Sequence, residues 1–229
     1  MSATSSLLPG TGRPAPTAIE INARASEGFD AKLAETVALL REAAQLGPAT
    51  QASSLGAEDM VITHLINQHA LPVPVFVLDT GALHAETLAL LDQLAAQQAR
   101  HPHAPLTVYR PVRESVVQFV AREGRDAMYK SIDLRKACCG VRKMEPLRRA
   151  LAGRKAWITG LRAAQSPTRD KLKTVAFDHG NKLVKISPLA DWSEREVWVY
   201  LRANNVPYNA LHDRNYPSIG CAPCTRAIQ

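Results

Sequence analysis

Aromatic residues are scarce in this chain, 5% of 229, and they do not interleave with the basic residues. The stacking platforms that hold single-stranded nucleic acid are therefore not evident. Long apolar runs are missing too: none approaches the roughly 18 residues a membrane span needs, which argues against a membrane partner. Residues 1–17 are rich in Ser, Thr, Pro and Gly, and their only apolar pair, Leu7 and Leu8, is too short for a secretory h-region. Residues 1–18 are accordingly expected to form a disordered tail, and 19–229 a single domain of a size that buries a substantial core. With no export signal, the expected location is the cytoplasm, a reducing compartment where cysteines serve metals or catalysis more often than structural disulfides.

What is present is ordinary in bulk and distinctive in detail. The 46% hydrophobic and 21% charged fractions suit a soluble globular protein. The 28 Lys and Arg outweigh 21 Asp and Glu, giving +7, and a basic balance of this kind points to an anionic partner, either a nucleic acid or a small phosphorylated molecule.

Periodicity gives an alternating order of elements. Leu33, Val37, Leu40 and Ala44 recur at helical spacing in Asp30 to Leu46, closed by Gly47-Pro48. Ala49 to Ser54 reads as a short extended segment that leads through Gly56 into a second helix, Ala57 to His69, with Glu58 and Asp59 in its first turn. Val73 to Leu78 is nearly all apolar, as expected of a strand covered on both faces, with Pro74 in its first residues or on an edge. Leu83 to Arg100 returns to helix; Leu106 to Tyr109 and Ala156 to Thr159 read as strands. Ser193-Glu194-Arg195-Glu196 has the capping-box pattern of a helix start. The expected class is α/β, an open, mostly parallel sheet flanked by helices, with ligands gathered beyond the carboxyl ends of its strands.

All four cysteines fall in two pairs, Cys138-Cys139 and Cys221-Ala222-Pro223-Cys224. A C-x-x-C turn can bring two thiolates to one metal site. Adjacent helical side chains diverge by about 100°, an awkward bite for one zinc but workable if each sulfur meets a different iron, so the set favours a four-iron cluster over zinc. The same spacing also suits two small buried residues and a redox dithiol. Arg135, Lys136, Arg142 and Lys143 bracket the first pair and would stabilise the negative charge of a thiolate-bound cluster; a solvated helix face is the plainer alternative. In regular helical geometry Lys143 shares a face with Cys139.

Three segments suit a nucleotide. Ser53-Ser54-Leu55-Gly56 joins a strand to a helix, where free amides and the helix dipole favour an anion. Asp79-Thr80-Gly81 ends the best strand, and Gly160, Arg162 and Arg169 lie in a Gly-, Ser- and Pro-rich loop suited to phosphate or sulfate. Plain turns and a solvated basic loop remain open readings of all three.

In order, S-S-L-G-A-E-D at 53–59, L-D-T-G at 78–81, Y-K-S at 129–131, C-C-x-x-R-K-x-E-P-L at 138–147, W-I-T-G-x-R-x-x-Q-S-x-x-R at 157–169 and P-Y-N-x-L-H-D-R-x-Y-P-S-I-G-C-x-P-C-T-R at 207–226 resemble the assimilatory sulfonucleotide reductases. The resemblance implies an adenine nucleotide α-hydrolase-like sheet, with Ser53, Ser54 and Gly56 in a pyrophosphatase-type loop and Arg162 and Arg169 near the phosphosulfate. It implies a [4Fe-4S] cluster held by Cys138, Cys139, Cys221 and Cys224, with Lys143 between cluster and substrate. Possession of both cysteine pairs implies adenylylsulfate rather than its 3′-phosphorylated form as substrate.

In such enzymes a cysteine thiolate attacks the substrate sulfur, AMP leaves, and thioredoxin or a glutaredoxin-type reductant frees sulfite from the S-sulfocysteine. That cysteine sits in a C-terminal E-C-G-L-H motif, which residues 1–229 do not contain; the expectation is a longer protein whose mobile tail carries it. A homo-oligomer is left open. The competing readings are use of the 3′-phosphorylated nucleotide, ATP pyrophosphatase or adenylyl-transfer chemistry on the same fold, and a non-catalytic binding module.

Overall fold

The computed structural model describes residues 16–24, 26–169 and 171–228, the side chain of Thr168 excepted. The expected tail lies outside the described residues as far as residue 15. Thr17 and Ala18 are the capped start of α1 (Ala18–Asn22), where Thr17 and Glu20 exchange side-chain and backbone hydrogen bonds.

Three strands come first along the chain: β1 (Ala49–Ser53), buried though largely polar, the apolar β2 (Val75–Leu78) and β3 (Leu106–Tyr109). Helices α2 (Phe29–Gln45), α3 (Ala57–Gln68) and α4 (Ala85–Gln98) precede or connect them. After four further α-helices and a π-turn, β4 (Ala156–Ile158) pairs on the other side of β1. A hairpin, β5 (Val175–Asp178) and β6 (Leu183–Ile186), completes a six-stranded sheet of order β3-β2-β1-β4-β6-β5. Every pair is parallel except β5 with β6. The result is a single α/β domain, as the alternation of elements predicts.

Pro74 stands just before β2, which has neighbours on both sides. Proline lacks only a donor, and its carbonyl accepts from the Gln51 amide at 2.9 Å and the Thr50 hydroxyl at 2.9 Å. The main core lies on one face of the sheet, where Leu40, Ile62, Leu65, Ile66, Leu94 and Trp192 are essentially inaccessible. Helix α9 (Glu194–Ala203) closes this side, its capping box formed as the sequence predicts: Glu196 N–H donates to Ser193 Oγ at 3.3 Å and Ser193 N–H to Glu196 Oε2 at 2.6 Å. On the other face Phe76, Trp157 and Leu183 pack under α8 (Glu145–Leu151). No helix among the described residues is long and apolar enough to cross a membrane.

The segment bearing the first cysteine pair departs from expectation. Helices α5 (Arg113–Glu123) and α6 (Ala127–Lys130) lead to α7 (Ile132–Cys139), capped by Ser131 Oγ, which accepts from Leu134 N–H at 3.1 Å. Beyond Cys139 the chain does not continue as α-helix but winds into a π-turn, Gly140–Met144. Bonding from i to i+5 puts an extra residue into the turn and shifts every side chain after it, so the simple row from Cys139 to Lys143 is broken.

Candidate functional site

The chain runs from β1 to β2 and β3 on one side of the sheet and only later to β4 on the other, so the loops after β1 and β4 part from adjacent strand ends. Such a switch point opens a crevice. Here it is a cavity of about 830 Å³, walled by the loops after β1, β2 and β4 and by Pro217 to Gly220, with Phe76, Leu78 and Trp157 as apolar floor.

After β1, the fully buried Leu55 takes a left-handed backbone, φ 63°, and its amide donates to Ser53 Oγ at 3.2 Å. This bend turns Ser53 and Ser54 to the cavity wall. Gly56 has ordinary extended angles, and a Cβ there would approach Ser54 Oγ to 3.3 Å. It precedes α3, whose first turn has no side-chain cap, leaving amides oriented for an anion. Gly56 and Asp79 are not themselves among the lining residues.

The two loops are joined by a residue to which the sequence gives a place in a first helical turn and at the end of the 53–59 motif, but no role. Asp59, in α3, accepts from Ser54 N–H at 2.7 Å and Ser54 Oγ at 2.6 Å on one oxygen, and from Gly160 N–H at 3.0 Å on the other. Burial pushes its carboxyl up to about 6, against the pull of those hydrogen bonds. Gly160 is required by close approach: an added Cβ would lie 2.5 Å from Asp59 Oδ1 and 3.0 Å from Asp59 N.

The two arginines of the β4 loop differ. Arg162 is buried and donates to Glu58 Oε1 at 2.8 Å and to the Trp192 carbonyl at 3.4 Å, so it arrives at the cavity already paired. Arg169 lines the wall and donates to Gln165 Oε1 at 2.6 Å. Lys143 also lines the wall and has no hydrogen-bond or ion-pair partner among the described residues. A fourth cation, which the sequence does not single out, is Lys185 of β6, 4.8 Å above the Trp157 ring. Burial, reinforced by Arg169 and partly offset by Asp178, lowers its pKa. The Trp157 indole N–H is buried and meets no acceptor among the described residues.

Both cysteine pairs hang on the turn after β2. The Thr80 carbonyl accepts from Arg142 Nη1 at 2.8 Å, and the Thr80 hydroxyl lies 3.2 Å from Cys221 Sγ. Ala222 N–H donates to the Ala82 carbonyl at 2.8 Å, and Tyr129 Oη donates to the Pro223 carbonyl at 2.7 Å. Asp79 shapes this turn: its carboxylate accepts from Gly81 N–H at 3.0 Å and pairs with Arg110 at 2.9 Å.

All four cysteines are free; Cys138 and Cys221 are buried, Cys139 half-buried and Cys224 exposed. Burial pushes the Cys138 thiol up, as do its neighbours Cys139 and Cys221, while Arg142 opposes them. Through the π-turn, therefore, Arg142 is the cation that meets the thiol, and Lys143 faces the cavity. Among the described residues no three or more Cys, His, Asp or Glu side chains form a closed metal-ligating set.

The family model of the phosphoadenosine phosphosulfate reductase domain matches residues 48–227. The adenosine 5′-phosphosulfate reductase of Allochromatium vinosum is 54% identical over 177 residues, covering 77% of this chain and 68% of that protein. The protein of the same name from Neisseria meningitidis serogroup B is 51% identical over 178 residues, 78% of this chain and 71% of its own. Among solved structures, the phosphoadenylyl-sulfate reductase of Candida auris, in complex with phosphate, superimposes with a TM-score of 0.71 at 28% identity, covering 89% of this chain and 98% of that one. The FMN adenylyltransferase of Candida glabrata, 14% identical with a TM-score of 0.59 over 90% of this chain and 68% of its own, shares the fold.

Proposed function

Because the chain belongs to the phosphoadenosine phosphosulfate reductase domain family, we propose that it is a sulfonucleotide reductase of sulfate assimilation that takes adenylylsulfate and delivers sulfite and AMP. The observation that carries this reading is the arrangement around Thr80: an anion-suited cavity on one side and two pairs of free thiols on the other, held to one turn. The names of the relatives support adenylylsulfate.

In this reading the amides after β1 and the Ser53 and Ser54 hydroxyls take the phosphate. Lys143, Arg169 and Lys185 offset the charge of the phosphosulfate, and Arg162, paired with Glu58, stiffens the loop that carries Arg169. Thr80 and Gly160 form wall and hinge. The apolar floor of Phe76, Leu78 and Trp157 excludes water and strengthens these interactions. The four thiols would hold a [4Fe-4S] cluster: their chemistry and their gathering from two segments fit it, and Arg142 beside Cys138 offsets thiolate charge. When bound, such a cluster supplies fixed local charge with no required change of oxidation state.

With those four thiols assigned to iron, the attacking thiolate comes from a fifth cysteine, outside residues 1–229. It forms a bond to the substrate sulfur as the bond from sulfur to the AMP oxygen breaks. A thioredoxin-type dithiol then reduces the S-sulfocysteine: it releases sulfite, restores the thiol and is itself oxidised to the disulfide. Side-chain cations cancel the repulsion between anionic nucleophile and anionic substrate.

The test compares anaerobically purified full-length protein with residues 1–229 alone, both given thioredoxin and either adenylylsulfate or its 3′-phosphorylated form. The full-length protein is expected to release sulfite from adenylylsulfate, and residues 1–229 to bind the nucleotide without turnover. Sulfite release by residues 1–229, or preference for the 3′-phosphorylated substrate, would overturn the reading.

A further inference from the structure

We infer that Asp59 is a positioning residue that couples nucleotide binding to the uptake of one proton, by reversing the direction in which the Ser54 hydroxyl donates. The inference rests on the nucleotide reading of the cavity.

Asp59 is buried and receives three donors, Ser54 N–H, Ser54 Oγ–H and Gly160 N–H. The backbone beneath it is pinned, since its own carbonyl accepts from Gln51 Nε2 at 2.8 Å and Thr63 Oγ1 at 2.9 Å. A carboxylate can only accept, so in this state the Ser54 proton points away from the cavity that Ser54 lines. The wall then presents hydroxyl lone pairs to an incoming anion.

Add a proton to Asp59 Oδ2 and the network survives with one reversal. The new O–H donates to Ser54 Oγ, Gly160 N–H still finds Oδ1, and Ser54 N–H still finds the remaining lone pair on Oδ2. The hydroxyl hydrogen of Ser54 is now free to donate into the cavity. The proton comes from solvent, and no other bond is made or broken.

Two observations favour this direction of coupling. Burial already holds the Asp59 carboxyl near 6, and Glu58 beside it pushes the same way. An anion bound to Ser54 adds negative charge nearby and further favours the protonated form. The other charged or titratable groups that border this cavity are Glu58 with its partner Arg162, Glu194, and the cations Lys143, Arg169 and Lys185, the last with its pKa lowered by burial; His212, its pKa also lowered by burial, senses Glu58. His212 and Lys185 would also take up a proton when an anion binds, and uptake through either survives in Asp59→Asn.

The measurement is calorimetric titration of the full-length protein with adenylylsulfate at pH 7 in buffers of different ionisation enthalpy. The phosphosulfate anhydride does not itself titrate near neutrality, so any proton taken up enters the protein. The expected result is uptake of about half to one proton per nucleotide, with affinity falling by up to about tenfold per pH unit as pH rises from 6 to 8. His212→Gln should keep the uptake. Asp59→Asn, which fixes a donor toward Ser54, should bind with no uptake and a flat pH profile. Ser54→Ala, an exposed change that leaves the core intact, should reduce the uptake and serves if Asp59→Asn folds poorly. Undiminished uptake in Asp59→Asn or Ser54→Ala, or none in the wild type, overturns the inference. Failure of the wild type to bind adenylylsulfate at all would instead sink the function proposed above.

Discussion

At Gly160 the space for a methyl group is already taken by Asp59 and by Glu58 Cβ, 2.9 Å from an added Cβ. Gly160→Ala should therefore push the β4 loop away from the β1 loop. Overpacking of this kind costs about 1–3 kcal/mol; thermal melting should fall accordingly, and nucleotide affinity measured by calorimetry should drop by more than the stability does. Lys143 makes the opposite prediction. With no partner to lose among the described residues, Lys143→Ala should leave unfolding free energy within about 0.5 kcal/mol, while kcat/KM of the full-length enzyme drops by about 10²-fold or more if the cation serves the transition state.

Of the candidate residues, those that stand in consecutive motifs at strand ends were legible: Ser53, Ser54, Thr80, Gly160, Arg162 and Arg169 all border the cavity. Asp59 was hidden because an acid in a first helical turn already has a sufficient explanation in the helix dipole. Its reach to Gly160, a hundred residues on, depends on which strands are neighbours. Likewise the pairing of Arg162 with Glu58 crosses from the loop after β4 to the first turn of α3 and has no local signature.

Among the elements, α9 is the clearest case of sequence specifying structure, and its cap is measurable. Burial would raise the Glu196 carboxyl, but the Ser193 amide, Ser26 and Lys32 together hold it below the usual glutamate range. That stability is complete above the ordinary glutamate pKa and is lost as pH falls through the depressed one. Ser193→Ala should cost about 1 kcal/mol, a fall of roughly 2–4 °C in melting temperature for a chain this long.

Helices with apolar stripes and β-branched strands announced themselves by period. The β5–β6 hairpin did not: β5 is exposed on both faces, so it lacks the alternation that marks a half-buried strand, and Lys185 went unnoticed with it. The π-turn was equally invisible, because nothing in Gly140 to Met144 distinguishes i+5 from i+4 bonding. The turn goes with a tertiary contact, Arg142 Nη1 donating to the Thr80 carbonyl, which no local pattern encodes.

Taken whole, the molecule brings together segments that are far apart in sequence, and any group bound by both cysteine pairs stabilises the native state by mass action. Under the cluster reading proposed above, removing iron from anaerobically purified protein with a chelator should lower the melting temperature by several degrees, at about 2–4 °C per kcal/mol for a chain of this size. It should also weaken nucleotide binding through Thr80. Unchanged melting after verified iron loss would mean that the thiols do not bridge the two segments. The net charge of +7 is likewise a property of the whole chain, and the cations that face the cavity are few.

The position of the cysteines along the chain also bears on how the protein is made. Cys221 follows Cys139 by 82 residues, which a ribosome adding about 5–20 residues per second covers in roughly 4 to 16 s. During that interval the Cys138-Cys139 pair is already outside or leaving the ribosome, with its partner pair still unmade. Under the cluster reading, iron arriving in that window would find half a site. Were the proposed cluster held by all four thiols, its insertion would have to follow synthesis of Cys221 and Cys224.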